Sequence, residues 1–272
     1  MHILKKLIAV LLILVLVNVG FIWYGQASFD ATVKTLGKAF AENNETIPTA
    51  RTSPPALIAS ALRKSGVDTH PYRTLVLQFE GKYRSKPSSK WMPMHALALL
   101  RPTPDMLWGI RLENNPVVTF NALETYHAGR ASMEMLLFGI IPTGKREGEA
   151  FARSELARVL AYGLYNPALL ACGCIGYRAI DDRRIEATIR DGNLTASVIF
   201  SADDAGDIVE VFSRDRLRPV KGGLEPAGWR MRIRSYATID GLRIPKEVEE
   251  SWIVDGNELS YSRGHVTSAR RL

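Results

Sequence analysis

The chain opens on an apolar stretch, and its period then changes twice. Lys5 and Lys6 precede a run from Leu7 to Tyr24 that only Asn18 and Gly20 interrupt. At about 1.5 Å of rise per residue, a helix over that run spans about 27 Å, close to the hydrocarbon thickness of a bilayer. The segment from Phe29 to Arg51 is polar and weakly patterned. It predicts a juxtamembrane helix leading into a linker, with Asn43, Asn44 and Pro48 as breakers. Pro54 and Pro55 open a short helix carrying Leu57, Ala61 and Leu62, which Gly66 ends.

After His70-Pro71 the period becomes two. Leu75, Leu77, Phe79 and Gly81 alternate with Val76, Gln78, Glu80 and Lys82. Segments 91–100, 106–113, 117–126 and 131–141 complete a first group of five predicted strands. One helix then intervenes. Ser154 suits an N-cap, Glu155 suits the positive end of the dipole, and Leu156, Val159, Leu160, Gly163 and Leu164 form one stripe. Asn166-Pro167 stops it.

Alternation returns at Ile185, Ala187 and Ile189, then at Leu194, Ala196, Val198 and Phe200, and again at Trp229, Met231 and Ile233. Asp191-Gly192, Asp240-Gly241 and Asp255-Gly256 supply hairpin turns between these runs. The pattern predicts an α+β fold that is mainly antiparallel β. It is a strongly curved open barrel of about 10–11 strands wrapping a central helix, plus an N-terminal transmembrane helix. The expected domains are a membrane anchor or uncleaved signal over 1–27, a juxtamembrane linker over 28–53 and a β-rich extracytoplasmic domain over 54–272.

Gly25-Gln26-Ala27 loosely suits signal peptidase, but the apolar run exceeds the ~7–15 residues of a signal-peptide core. Trp23 and Tyr24 stand where aromatic rings favour the membrane–water interface, so a retained anchor is the favoured reading. After Lys6 the next basic residue is Lys34. The positive-inside bias therefore puts the N-terminus in the cytoplasm and the domain outside a single-pass inner (cytoplasmic) membrane. No cysteine near the end of the run offers a site for lipidation.

Composition adds little. Hydrophobic residues are 46% and charged residues 23%, ordinary for a globular chain. The formal charge of +7 is spread out, so no nucleic-acid partner is expected. Mild attraction to anionic lipid headgroups competes here with ordinary solvation. Cys172 and Cys174 lack the further ligands of a zinc site. They read as two small apolar side chains near a Gly bend, or as a disulfide across one residue.

Catalytic candidates are weak. Asp181 and Asp182 are adjacent on an extended segment and point to opposite faces, so they read as a polar connection. His70, His95, His127 and His265 never fall at metal spacing, and no G-x-S-x-G, P-loop or dinucleotide motif occurs. No cofactor and no enzymatic activity are expected. Methionines and tryptophans make adaptable apolar walls, although they are also ordinary core filler. The candidate ligand-lining residues are Trp91, Trp108, Met133, Met135, Leu160 and Trp252. Arg230, Arg232 and Arg234 share a strand face, where Glu247 and Glu249 of the next strand could pair with them or lipid phosphate could bind.

Gly81 through Trp91-Met92-Pro93, Arg153-Ser154-Glu155-Leu156-Ala157-Arg158, Pro167-Ala168-Leu169-Leu170, Ala179-Ile180-Asp181-Asp182 and Gly241-Leu242-Arg243-Ile244-Pro245 resemble, in order, an uncharacterised bacterial family of unknown function. That resemblance spans about residues 54–268 and carries no catalytic residue. The element order also resembles the periplasmic lipoprotein-carrier half-barrel, which implies an apolar ligand by architecture alone. The expected function is a membrane-anchored extracytoplasmic binding domain for a lipid or other apolar molecule. The alternative is an envelope structural or protein-interaction module, and the sequence names no protein partner.

Overall fold

The structure, a computed structural model, describes residues 2–42, 54–69, 72–115 and 117–272. His70 and the breakers Asn43, Asn44 and Pro48 lie outside them. The first helix, α1 (His2–Glu42), is continuous. A short helix, α2 (Ala56–Ser65), ends at Gly66, whose φ of 72° suits glycine.

Six strands follow as a meander: β1 (Leu75–Tyr83), β2 (Met92–Leu100), β3 (Met106–Glu113), β4 (Thr119–His127), β5 (Arg130–Leu137) and β6 (Ile141–Glu147). The strand expected over 131–141 divides, because Phe138 and Gly139 take φ of 55° and 81° and turn the chain. Helices α3 (Glu149–Ala161) and α4 (Pro167–Leu170) come next. Seven strands complete the chain: β7 (Ile175–Ala179), β8 (Arg184–Asp191), β9 (Leu194–Ala202), β10 (Ile208–Val220), β11 (Gly223–Ile239), β12 (Leu242–Val254) and β13 (Asn257–Arg271). The sheet thus has 13 strands among the described residues, where 10–11 were expected.

The order is β6-β5-β4-β3-β2-β1-β13-β12-β11-β10-β9-β8-β7. Every neighbour pairs antiparallel, and β1 joins the last strand, from Leu75↔Arg271 to Tyr83↔Ser262. Two edges remain, β6 and β7, so the curled sheet is a half-barrel. The three Asp-Gly turns fall between β8 and β9, β11 and β12, and β12 and β13, as the alternation predicts.

The inner face is filled. Leu156 and Leu160 of α3 and Leu169 and Leu170 of α4 are buried against Trp108, Phe200, Trp229 and Met231. Full burial of each such side chain contributes about 1.5–3 kcal/mol. Helix α3 begins earlier than its stripe suggested, with Gly148 at its N-cap and φ of 102°. Ser154 is not the cap. It is buried in the helix, where its hydroxyl accepts from the Leu217 N–H at 2.9 Å.

Candidate functional site

Gly25, Phe29, Val33 and Gly37 recur every four residues along α1, and all four are buried. Positions four apart share one helix face. The glycines bring helix and sheet close: a Cβ on Gly25 would meet the Phe138 carbonyl oxygen at 2.1 Å, and one on Gly37 would meet Leu99 at 3.3 Å. The sheet answers with Gly109, where a Cβ would press on Val33 at 3.0 Å. Phe29 and Val33 pack on the outer face of the sheet with Leu99 and Leu107. Polar contacts fix the register. Gln26 donates to Thr119 at 2.5 Å, and Arg111 donates to Asp30 at 2.6 Å. The segment that read as weakly patterned therefore carries a strict i, i+4 row, visible once its glycines are counted with its apolar residues.

Beside this contact lies a groove of about 390 Å³ between α1 and the outer face. Phe29, Val33, Leu97 and Gly109 give it an apolar wall, and Asp30, Lys34, Glu80 and Arg111 a charged rim, with the His95 imidazole beside them. His95 is half-exposed, with Nε2 3.7 Å from Glu113 and Nδ1 4.0 Å from Glu80. Its volume is in the range of small-molecule sites, about 300–1,000 Å³.

The inner face holds a different constellation. Glu124 of β4 pairs with Arg158 of α3. Arg158 also pairs with Glu155 at 2.8 Å, and Glu155 with Arg216 of β10 at 3.0 Å. The Arg216 guanidinium stacks 4.7 Å from the Trp229 ring centre. The Trp229 N–H donates to Tyr261, and Tyr162 and Tyr261 donate to Glu250 at 2.7 and 2.8 Å. Burial pushes the Glu124 carboxyl up to about 8, against the opposing pull of Arg158. Burial also acts on Glu155, but Arg158 and Arg216 outweigh it and hold that carboxyl below its ordinary value. Three carboxyl groups and two guanidiniums are enclosed together, so one protonated carboxyl leaves the set without net charge.

This network ties α3 to β4 and β10. Sequence reasoning missed it because its members lie far apart in the chain, and Glu155 looked like a dipole partner at a helix start. The pocket near Trp252 and Tyr261 is only about 40 Å³, and another, near Leu170 and Tyr236, about 20 Å³. Such volumes hold a few waters at most.

The six ligand-lining candidates do not gather around one cavity. Trp108 is buried between Phe79 and Tyr162, at 5.0 and 5.1 Å, and Leu160 is fully buried on α3. Met133 packs against the same core, and the Met135 methyl lies where a Cβ on Gly144 would meet it at 2.7 Å. Trp252 stacks on Tyr261 and lines the 40 Å³ pocket. Trp91 lies apart, under Arg84 at 4.6 Å and Arg263 at 5.1 Å.

Asp181 spends its carboxylate on its own turn, accepting from the Arg183 and Arg184 N–H groups and from Arg184 Nε. The Arg184 hydrogen bond holds it below the ordinary carboxylate value. His127 Nδ1 lies 2.8 Å from Asp105. The arginine row is answered by acids, with a change of partners. Arg230 and Arg232 both meet Glu210 and Glu258, while Arg234 meets Glu249 at 2.7 Å. Glu247 instead accepts from Ser235 at 3.3 Å, because the β11–β12 register shifts around that serine. Cys172 and Cys174 are joined as a disulfide, with Cα atoms 5.2 Å apart. Among the described residues, no three His, Cys, Asp or Glu side chains are grouped to hold a metal ion.

No curated protein matches the chain. Several solved structures are similar to it over much of its length. One is a domain named for outer-membrane lipoprotein sorting, from Vibrio parahaemolyticus, with TM-score 0.47 and 11% identity over 79% of this chain and 90% of that one. Another is a DUF1329 family protein from Desulfovibrio piger, with TM-score 0.45 and 13% identity over 79% and 92%. A LolA superfamily protein from Nitrosomonas europaea gives 0.41 and 14% over 79% and 93%. At these identities the likeness concerns the fold alone. Residues 52–264 match one sequence family, and the chain belongs to it: the family of unknown function DUF6544.

Proposed function

We propose that the protein is a single-pass, membrane-anchored extracytoplasmic domain that binds an amphipathic molecule, a lipid by preference, without transforming it. The carrying observation is the 390 Å³ groove between α1 and the outer face, apolar at its wall and charged at its rim. The same helix supplies the anchor. Leu16 and Val17 are 69% and 62% exposed, and the apolar span touches little of the domain. Cleavage after Ala27 would remove Gly25 and Gln26 with their contacts to the sheet, which supports a retained anchor. Lys5 and Lys6 on its flank favour a cytoplasmic N-terminus. A disulfide suits an oxidising compartment. Binding is favoured over catalysis because Asp181 is committed to a turn and the buried acids to guanidiniums.

In this reading Trp108 and Leu160 are core, and the ligand lies on the opposite side of the sheet. The test is a photoreactive phenylalanine at Thr267, which lines the groove, in full-length protein held in native membranes. Irradiation should add a discrete lipid mass, and Gly109→Trp should abolish that adduct. Recovery of the unmodified chain mass alone would overturn the proposal.

A second reading, a protein-interaction module, draws on the filled inner face, where the pockets near Trp252 and Leu170 are too small for a ligand. A discrete protein adduct in the same irradiation, with no lipid adduct, would favour it.

A further inference from the structure

We propose that one corner of the sheet, the ends of β3 to β6, is itself seated in the interfacial layer of the bilayer beside the anchor. This rests on the anchored reading above and adds a second membrane contact, made by the domain.

The level of the corner follows from the docking of α1. The helix is unbroken from the apolar run into the docked row, so the sheet is held at a fixed height along it. Asp30 meets Arg111, and Gly25 meets the Phe138 carbonyl. One turn further back, the Phe21 ring meets the Phe138 ring edge-on with centres 6.1 Å apart. Phe21 lies within the apolar run, on its membrane side of Trp23 and Tyr24. Those two rings are 73% and 63% exposed, and such rings mark the membrane–water boundary. A turn that reaches Phe21 therefore reaches that boundary.

The side chains around this turn suit the placement. Val117 at the β3–β4 connection is 54% exposed, Phe120 at the start of β4 38%, and Ile141 at the start of β6 41%. Phe120 pairs across to Leu137, and Leu137 to Ile141, so an apolar row continues across three strand ends. Clustered exposed apolar side chains on a soluble domain mark an interaction surface. That row alternates with Leu123 and Leu136, which face α1, so it lies on the other face of the sheet. The Phe21–Phe138 contact that joins this corner to the anchor names lipid as the occupant. Polar Asn114 and Asn115 at the same connection fit the headgroup layer and would not tolerate the hydrocarbon core.

The experiment uses the full chain with single cysteines carrying an environment-sensitive fluorophore at Trp23→Cys, Val117→Cys, Ile141→Cys and, at the far end, Asp204→Cys. The native cysteines are bonded to each other. The chain is reconstituted in vesicles of phosphatidylethanolamine and phosphatidylglycerol containing a lipid with a nitroxide near the top of its acyl chain. The probes at 117 and 141 should be quenched to about the extent of the probe at 23, and the probe at 204 should respond only to aqueous iodide. Quenching at 23 with iodide access at 117 and 141 would overturn the corner contact and leave the anchor standing. Protection of 117 and 141 from both quenchers would also overturn it, since protein would then cover them. Failure of lipid quenching at 23 would overturn the anchored reading and this proposal with it.

Discussion

Gly25 of α1 and Gly139 of the β5–β6 turn meet backbone to backbone: a Cβ on Gly139 would stand 2.5 Å from the Gly25 carbonyl oxygen. Gly139 also has φ of 81°, so any side chain there is strained as well as crowded. Gly139→Val should therefore undock the helix from the sheet, at a cost on the order of 1–3 kcal/mol. Hydrogen exchange over residues 28–40 should rise sharply, while amides of β8 and β9 stay protected. Unchanged protection over 28–40 would mean that the helix does not depend on this contact.

Glu124 gives the fold a pH dependence with a definite sign. Its carboxyl is pushed up to about 8 in the folded protein, from 4.5 in the unfolded chain. Between those values the folded state holds the extra proton, so this group makes stability fall as pH rises from about 4.5 to 8. Glu124→Gln keeps the shape without the titration. Urea unfolding of the detergent-solubilised chain should show that the variant lacks this decline and gains on the wild type toward pH 8. Parallel curves across the window would assign the dependence to another group.

Much of this fold is legible because alternation and Asp-Gly turns are local signals. Ile185 to Phe200 needed only period two and one turn to become β8 and β9. What escaped is non-local. Nothing near Glu124 in the chain announces Arg158, and nothing near Glu155 announces Arg216, since the sheet's curvature brings them together. The start of α3 was misplaced because Gly148 caps it without a side chain, whereas Ser154 looks like a cap and serves Leu217. The groove was hidden for a related reason. Its wall depends on where the polar half of α1 lands, and Gly25, Val33 and Gly109 acquire meaning only as a set.

Leu160 separates a filled inner face from a ligand wall. It is fully buried against the core on α3. If it is core, Leu160→Ala should destabilise the domain by about 2–5 kcal/mol, as loss of buried methyl groups does. Lipid capture at Thr267 should be unchanged wherever the variant remains folded. A small loss of stability together with lost lipid capture would instead return the ligand to the inner face.

Glu249 should set the acid limb. Burial alone would raise its carboxyl, but hydrogen bonds from Ser260, Arg234 and Arg263 take it from 4.5 down to about 2. The stabilisation is therefore fully present above about 4.5 and is lost as pH falls from there toward 2, because the unfolded chain takes up the proton first. Both guanidiniums are about half exposed, at 55% and 48%, so solvent screening holds the effect to the order of 1 kcal/mol. Glu249→Gln should lower Tm at pH 7 and flatten its fall between pH 5 and pH 2 relative to the wild type. The cause is the pair of guanidiniums, so Arg234→Met with Arg263→Met should flatten the same limb while Glu249 remains. If the double variant kept the wild-type acid limb, the ion pairs would not be the source of that stability.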